Sequence, residues 1–207
     1  TNALFVSAGN VGIGTNTPKY PLHVCSANNP GVVVGGTSNA LCGTTRCSGI
    51  FGGSTNCING NSINSAIIGG NSNCITGSFL ASNNTIIGGN NNCVSGGTQT
   101  GTTIIGGNNL KIYSYYGYGS TAIGGNYNKQ CCTGGYNLLA GGRQNLFTGT
   151  YTYSNSIIGG YNNKMTGSYA YDNAIIGGTQ NEIGENYGRN NAITGGYCNC
   201  IAAGGCC

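Results

Sequence analysis

The sequence predicts an all-β protein, a parallel β-solenoid (β-roll) of about ten rungs of 17 to 19 residues each. Three observations predict this fold class. Gly-Gly pairs recur at that spacing, adjacent aliphatic residues precede most pairs, and an Asn with an apolar residue two positions later follows most of them. A repeat of this length is too short for a helical repeat and fits one coil of stacked strands.

The composition indicates an ordered but unusual chain. Of 207 residues, 41 are glycine, 5% are charged and 38% are hydrophobic, and the regular placement of Ile and Val argues against disorder. The seven Lys and Arg residues are scattered, so we expect no nucleic-acid partner. No apolar run approaches the ~20 residues of a membrane span, so we expect no membrane insertion. The start at Thr1, without Met or a signal-like segment, suggests a fragment or a processed chain.

Residues 1–30 form the first predicted unit, a hairpin-like motif. The segment "GNVGIGTNTPKYPLHV" (9–24) predicts a strand, a turn set by Pro18 and a second strand ending at Val24. The glycines of "GNVGIG" superficially suggest a dinucleotide-binding loop, but the helix that such a loop requires does not follow. We therefore predict no cofactor.

Residues 31–207 form the second predicted unit, the repeat domain. Its anchors are the second glycine of each pair, an Asn three residues later and an apolar residue five residues later, with Leu110 and Gln130 as exceptions. Each rung is predicted to hold two short strands, because β-branched residues favour strands and glycine disfavours helices. The glycines are expected at a corner with positive φ, and the Asn amides are expected to hydrogen-bond from rung to rung.

The adjacent isoleucines raise a question about partners. Neighbouring side chains on a strand point to opposite faces, so only one of Ile175 and Ile176 can point into the coil. The other column forms an apolar stripe on the outside, where burial is worth on the order of 1.5–3 kcal/mol per side chain. This pattern predicts a homotrimeric fibre, in which two more copies of the chain cover the stripe.

Two segments resemble known families. The repeat N-[AS]-I-I-G-G-x-x-N-x-I-x-G, over about residues 31–205, resembles the head repeats of trimeric autotransporter adhesins and related phage fibre segments, in which three β-rolls pack around one axis. The segment 9–24 resembles the GNVGIGT-x-x-P-x-x-x-L-x-V segment of tail-fibre and fibre proteins of bacteriophages and large viruses. The resemblance implies a fibre on a virion or cell surface, with other fibre or capsid proteins as partners. It also implies a virion-surface or extracellular location.

The chain contains twelve cysteines, which suggests structural disulfides and an oxidising environment. Cys57, Cys74 and Cys93 share one repeat position, so a Cys57–Cys74 or a Cys74–Cys93 bridge is feasible, but not both. Free buried thiols and a metal site in "CNCIAAGGCC" are the alternatives, although that spacing is not a standard zinc pattern. The candidate disulfide cysteines are Cys42, Cys47, Cys57, Cys74, Cys93, Cys198, Cys200 and Cys206.

Tyrosines nine and eleven residues after the second glycine predict an aromatic ladder along one edge. A ladder of this kind stabilises the solenoid or offers flat faces with polar tips to sugar rings of a host receptor. The candidate contact residues are Tyr116, Tyr118, Tyr136, Tyr151, Tyr153, Tyr169 and Tyr171. The segment "KIYSYYGYGST" (111–121) is the densest patch.

The sequence favours a non-enzymatic function. The acids are Asp172, Glu182 and Glu185, the one histidine is His23, and no nucleophile motif or phosphate-binding loop is present. The leading hypothesis is a structural and adhesive fibre segment that presents or forms a receptor-binding surface. The alternatives are a self-assembling extracellular filament or sheath, and a β-solenoid glycan depolymerase, for which Glu182 and Glu185 are the closest pair of acids in the sequence.

Overall fold

The computed structural model describes residues 4–7, 9–13, 17, 22–24 and 31–202. Within these ranges the protein is all-β, with a small N-terminal sheet followed by a parallel β-solenoid. The predicted fold class is therefore confirmed. None of the described residues belongs to a helix that is long and apolar enough to cross a membrane.

The N-terminal sheet contains β1 (Phe5–Ser7), β2 (Asn10–Ile13) and β3 (Leu22–Val24). Strands β1 and β2 are antiparallel and are joined through Gly9, whose φ is 81°. Strands β2 and β3 are parallel, with Val11 opposite Leu22. Both predicted strands are thus present, but the hairpin joins β1 to β2, one connection earlier than expected. Pro18, in the predicted turn, lies outside the described residues.

The solenoid winds through two sheets, which we call the first and the second sheet. Among the described residues the first sheet has ten strands: β4 (Gly31–Val34), β6 (Ser48–Phe51), β8 (Ala66–Ile68), β10 (Thr85–Ile87), β12 (Thr103–Ile105), β14 (Thr121–Ile123), β16 (Leu138–Ala140), β18 (Ser156–Ile158), β20 (Ala174–Ile176) and β22 (Ala192–Ile193). The second also has ten there: β5 (Ala40–Leu41), β7 (Cys57–Ile63), β9 (Cys74–Ser82), β11 (Cys93–Thr100), β13 (Lys111–Tyr118), β15 (Lys129–Gly135), β17 (Leu146–Tyr153), β19 (Lys164–Met165), β21 (Glu182–Ile183) and β23 (Cys200–Ile201).

Equivalent residues of successive rungs lie opposite each other. Ile86 pairs with Ile104 in the first sheet, and Val94 pairs with Ile112 in the second. The core therefore consists of rows of stacked aliphatic side chains, such as Ile157, Ile175 and Ile183, which are 0 to 2% exposed. Gln130 occupies one core position, where its Nε2 donates a hydrogen bond to Ser120 Oγ at 2.8 Å.

The glycine pairs make the predicted corner, with φ of 65° at Gly88 and 80° at Gly89. Non-glycine residues also adopt the left-handed conformation, and these were not anticipated. Most rungs have two or more such sites. Asn83 (φ 57°) and Asn91 (φ 54°) are examples, and both of these residues precede a buried Asn. A short polar side chain reduces the strain of this conformation. Each rung is thus built from two similar halves.

The buried Asn column after the glycine pair binds the backbone of the next rung rather than the next Asn amide. Asn145 Oδ1 accepts a hydrogen bond from the backbone N–H of Asn163 at 3.0 Å. Asn163 Nδ2 donates to the carbonyl oxygens of Gly177 and Gly178 at 3.1 and 3.3 Å. The amide satisfies corner groups that would otherwise be buried without partners.

A second buried ladder precedes the first sheet and was missed in the sequence. Asn155 Nδ2 donates to Asn137 Oδ1 at 3.2 Å, and Asn173 Nδ2 donates to Asn155 Oδ1 at 3.0 Å. Here the amides do bind one another, as expected for the first column. Ser48, Ser65 and Thr102 occupy the same position in other rungs, which hid the pattern.

Replacing Asn163 with Ala is expected to destabilise the solenoid by about 1–3 kcal/mol for each buried backbone group left unpaired. The matched control is Asn108→Ala, because Asn108 is exposed on the turn, and its free energy of unfolding should change by less than about 0.5 kcal/mol. Guanidinium unfolding followed by circular dichroism measures both variants. Equal midpoints for the two variants would contradict the proposed role of the ladder.

Candidate functional site

The outer face of the first sheet is a continuous apolar strip. Ile175 is 0% exposed and Ile176 is 47% exposed, so the column through Ile176 is the outer one. We define the apolar strip by its outward residues: Val34, Phe51, Ile68, Ile87, Ile105, Ile123, Ala140, Ile158 and Ile176. Small or hydroxyl side chains such as Ala66 and Thr85 lie beside it. No charged residue interrupts these two outward columns from β4 to β20.

A groove opens at the N-terminal end of the apolar strip. Its volume is about 510 Å³, and Val32, Val34, Phe51 and Ala66 contribute to its lining. It forms because Gly49 has no side chain: a Cβ there would lie 2.8 Å from Phe51 Cε2. The groove has the size and polarity to accept an apolar side chain from a partner.

Two stacks of aromatic rings follow the solenoid axis on another side. The rings of Tyr151 and Tyr169 lie 5.1 Å apart, and those of Tyr169 and Tyr187 lie 5.0 Å apart. We call these three residues the outer tyrosine stack. Tyr151, Tyr169 and Tyr187 are 51%, 39% and 69% exposed, so the ring edges and the end face of the stack are accessible to a ligand.

The second stack lies two residues further along each rung. Tyr153 and Tyr171 stack at 5.7 Å, and the Arg189 guanidinium lies 5.1 Å from the centre of the Tyr171 ring. Thr152, between Tyr151 and Tyr153, points inward and is 3% exposed. The predicted aromatic ladder is thus present for Tyr151, Tyr153, Tyr169 and Tyr171.

The other three predicted tyrosines do not extend these stacks. Tyr118 pairs in register with Gly135, and Gly135 pairs with Tyr153, so a glycine interrupts the column. Tyr136 lies one position later, at a left-handed corner (φ 56°) beside Gly119, because its rung is one residue shorter. Tyr116 contacts Tyr115 edge to face at 4.9 Å.

A second groove, of about 460 Å³, crosses successive rungs near Tyr115. Tyr113 and Tyr115 line it together with the hydroxyl-bearing residues Ser114, Thr133, Thr150 and Ser168. Sequence reasoning missed this groove, because the residue types at its lining positions vary from rung to rung. Flat rings beside hydroxyl groups suit a neutral sugar.

The cysteines of the second sheet are stacked as predicted, but they are not bridged. Cys57 pairs in register with Cys74, and Cys74 pairs with Cys93. The thiols of these three residues and of Cys42, Cys47, Cys131 and Cys198 are free, whereas Cys200 is disulfide-bonded. Cys206 lies outside the described residues. The bridges predicted among Cys42, Cys47, Cys57, Cys74 and Cys93 are therefore absent from the structure.

Glu182 and Asp172 lie at different positions of their rungs. Glu182 Oε1 accepts a hydrogen bond from Thr166 Oγ1 at 3.0 Å, and Asp172 lies at a left-handed corner with φ of 57°. Across the described part of the chain, no three His, Cys, Asp or Glu side chains are grouped so as to hold a metal ion.

Comparison of the sequence with protein-family models and with curated proteins finds no match.

Replacing Tyr169 with Asn is expected to lower the free energy of unfolding by about 0.4–2 kcal/mol, because it removes two ring contacts worth roughly 0.2–1 kcal/mol each. Asn is chosen because Tyr169 has a φ of 56°, which Asn tolerates. The measurement is the denaturant midpoint, with Tyr197→Asn, an exposed tyrosine outside the stacks, as the control. A larger loss, with unfolding at room temperature, would show that the outer tyrosine stack is essential to the fold.

Proposed function

We propose that the chain is a structural and adhesive fibre segment, in which the apolar strip assembles three copies and the outer tyrosine stack contacts a glycan receptor on a host surface. The observation that carries this proposal is that the chain has two distinct extended surfaces, the apolar strip on the first sheet and the outer tyrosine stack, which begins in β17. One is apolar and uncharged, and the other is lined by stacked aromatic rings. Both follow the solenoid axis, so assembly along the first leaves the second exposed.

The apolar strip supports self-association. Its isoleucines are 40 to 47% exposed, and burying the rest of each side chain is worth on the order of 1 kcal/mol. Eight large side chains together offset a substantial part of the roughly 4–15 kcal/mol that association costs in lost freedom. A second copy of the chain fits this strip best, because its rungs have the same spacing and every exposed Ile meets an equivalent one.

Three copies are proposed rather than two because of the repeat's resemblance to trimeric adhesin heads. A narrow strip on each chain is covered when three such strips meet around a central axis. The location that follows is the surface of a virion or an extracellular structure, with capsid or other fibre proteins as neighbours.

The tyrosine surface supports binding to neutral glycans. The chain has only ten charged residues among 207, so ionic recognition contributes little over most of its surface. The stacked rings present their edges and hydroxyl groups along the stack and an apolar ring face at its end, where a sugar ring can pack. Weak sites repeated along three chains add through avidity.

Assembly is tested by replacing both Ile158 and Ile176 with Asp. The variant is expected to dissociate from trimer to monomer or to unfold, since charged groups would be buried against one another. The control, Asn108→Asp with Gln144→Asp, adds equal charge at exposed turn positions outside the strip and should stay trimeric. Sedimentation equilibrium gives the mass. A wild-type monomer at all concentrations would rule out the trimer, and continuous polymers would favour the filament.

Adhesion is tested by replacing Tyr151, Tyr169 and Tyr187 with Asn. Binding to a glycan array or to host cells should fall at least tenfold, while circular dichroism and sedimentation remain those of the wild type. The control variant replaces Tyr161 and Tyr197 with Asn. Both are exposed tyrosines outside the stacks, so this variant should bind the glycan array or host cells as the wild type does. Full attachment by a folded outer-stack variant would place the receptor site elsewhere.

A further inference from the structure

The second sheet carries a column of chemically reactive side chains on its outer face. The register runs Cys57, Cys74, Cys93, Lys111 and Lys129, one residue per rung. Each cysteine amide donates to a backbone carbonyl of the next rung at 2.8 Å, so the register is fixed at each thiol. Neighbouring α-carbons are therefore about 4.8 Å apart, inside the range of about 4.4–6.8 Å that a disulfide requires.

The three thiols are free but not equivalent. They are half-buried, and Cys74 lies between Cys57 and Cys93 in the register of the second sheet. Cys93 alone is followed by a lysine in the column. The two ends of the column therefore differ: Cys93 lies next to a lysine, and Cys57 lies at the end away from the lysines.

The pKa values of the thiols also differ between the two ends of the column. The neighbouring Cys74 thiol lowers the pKa of Cys93, and the Lys111 ammonium, next to Cys93 in the register, adds to this effect against the opposing influence of burial. Burial raises the pKa of Cys57 to about 11, and the neighbouring thiols of Cys74 and Cys42 add to this effect. Burial raises the pKa of Tyr113, and the nearby thiols of Cys93, Cys131 and Cys74 add to this effect, so Tyr113 stays neutral. Of the three thiols, Cys93 is therefore the readiest thiolate nucleophile.

We propose that Cys93, Cys74 and Cys57 form a thiol–disulfide exchange site, in which Cys93 attacks an external disulfide and the bond then migrates to Cys57–Cys74. The substrate class is a small or accessible disulfide, R–S–S–R, which is the oxidant.

The exchange proceeds in three balanced steps. The Cys93 thiolate attacks one sulfur of R–S–S–R, which forms a mixed disulfide and releases R–S⁻. Cys74, having lost its proton to solvent, attacks the Cys93 sulfur, which forms the Cys74–Cys93 disulfide and releases the second R–S⁻. Cys57, deprotonated in turn, attacks the Cys74 sulfur and releases the Cys93 thiolate. Two protein thiols are oxidised by two electrons, and one external disulfide is reduced to two thiols.

The leaving groups decide the final position of the bond. A thiol of low pKa leaves more readily than one of high pKa. Cys93 is therefore the favoured leaving group when Cys57 attacks Cys74. The expected product is a Cys57–Cys74 bridge with Cys93 returned to a free thiolate.

The test uses the full reduced chain, oxidised glutathione as the probe, and acid quenching followed by alkylation. Chymotrypsin is the suitable protease, because no Lys or Arg lies between Arg46 and Lys111. Cleavage after Phe51, Phe79 and Leu80 places Cys57 and Cys74 on one peptide and Cys93 on another. The expected end product is a bridge within the first peptide.

Two variants trap the earlier stages. Cys57→Ser should stop at a bridge between the two peptides, Cys74–Cys93. Cys74→Ser should accumulate the glutathione adduct on Cys93. Lys111→Met should slow the first step about two- to fivefold, as expected for loss of one partly exposed cation. Lys164→Met, in the same column but away from the thiols, should leave the rate unchanged.

Three results would overturn the proposal: a first adduct on Cys57 or Cys74, a wild-type end product bridged through Cys93, or equal rates for the Lys111 and Lys164 variants. Circular dichroism of each variant confirms that the solenoid is intact. The trimer and glycan experiments change residues outside the thiol column, so their results do not decide whether thiol–disulfide exchange occurs.

Discussion

The structure depends on one constraint: each rung stacks on the next in parallel and in register, one strand spacing apart. Backbone hydrogen bonds set the spacing, but the buried Asn ladders set the register. In the Asn163 side chain, Oδ1 accepts a hydrogen bond from the backbone N–H of Asn181, and Nδ2 donates one to the carbonyl oxygen of Gly177 in the following rung. A slip of one residue would leave these groups unpaired inside the corner, so the corner fixes both strands that leave it.

The same constraint explains how the chain tolerates its irregularities. Rungs differ by one or two residues in length, and the register shifts occur on the far side of the second sheet, as between Tyr113 and Gly117. There the strand bends around a corner and the side chains alternate less strictly. The Asn corners and the aliphatic rows are kept in register across these shifts. Leu110 and Gln130 break the pattern in adjacent rungs, yet both are buried and Leu110 still donates its N–H to Asn92.

In-register stacking also turns single side chains into extended surfaces. One outward Ile per rung becomes the apolar strip, one Tyr per rung becomes a stack, and one Cys per rung becomes a column of thiols. A contact that is weak at one rung is therefore repeated at a fixed spacing along the solenoid axis. The candidate functions therefore lie on extended surfaces of the solenoid rather than in a pocket, and assembly, adhesion and thiol exchange use different residues.

The sequence by itself determined the fold class, the rung length, the glycine corner and the first Asn column, because these features recur at fixed spacing. It also showed that one Ile of each pair must face outward. Only the tertiary structure decided that Ile176 is the outer one, since both alternations are equivalent until the corner is built. The second ladder was hidden because Ser and Thr share its positions with Asn. Tyr136 was misplaced because the count from the glycine ignores a one-residue slip, and whether Cys74 faces Cys57 and Cys93 closely enough to bond depends on the register that stacking imposes.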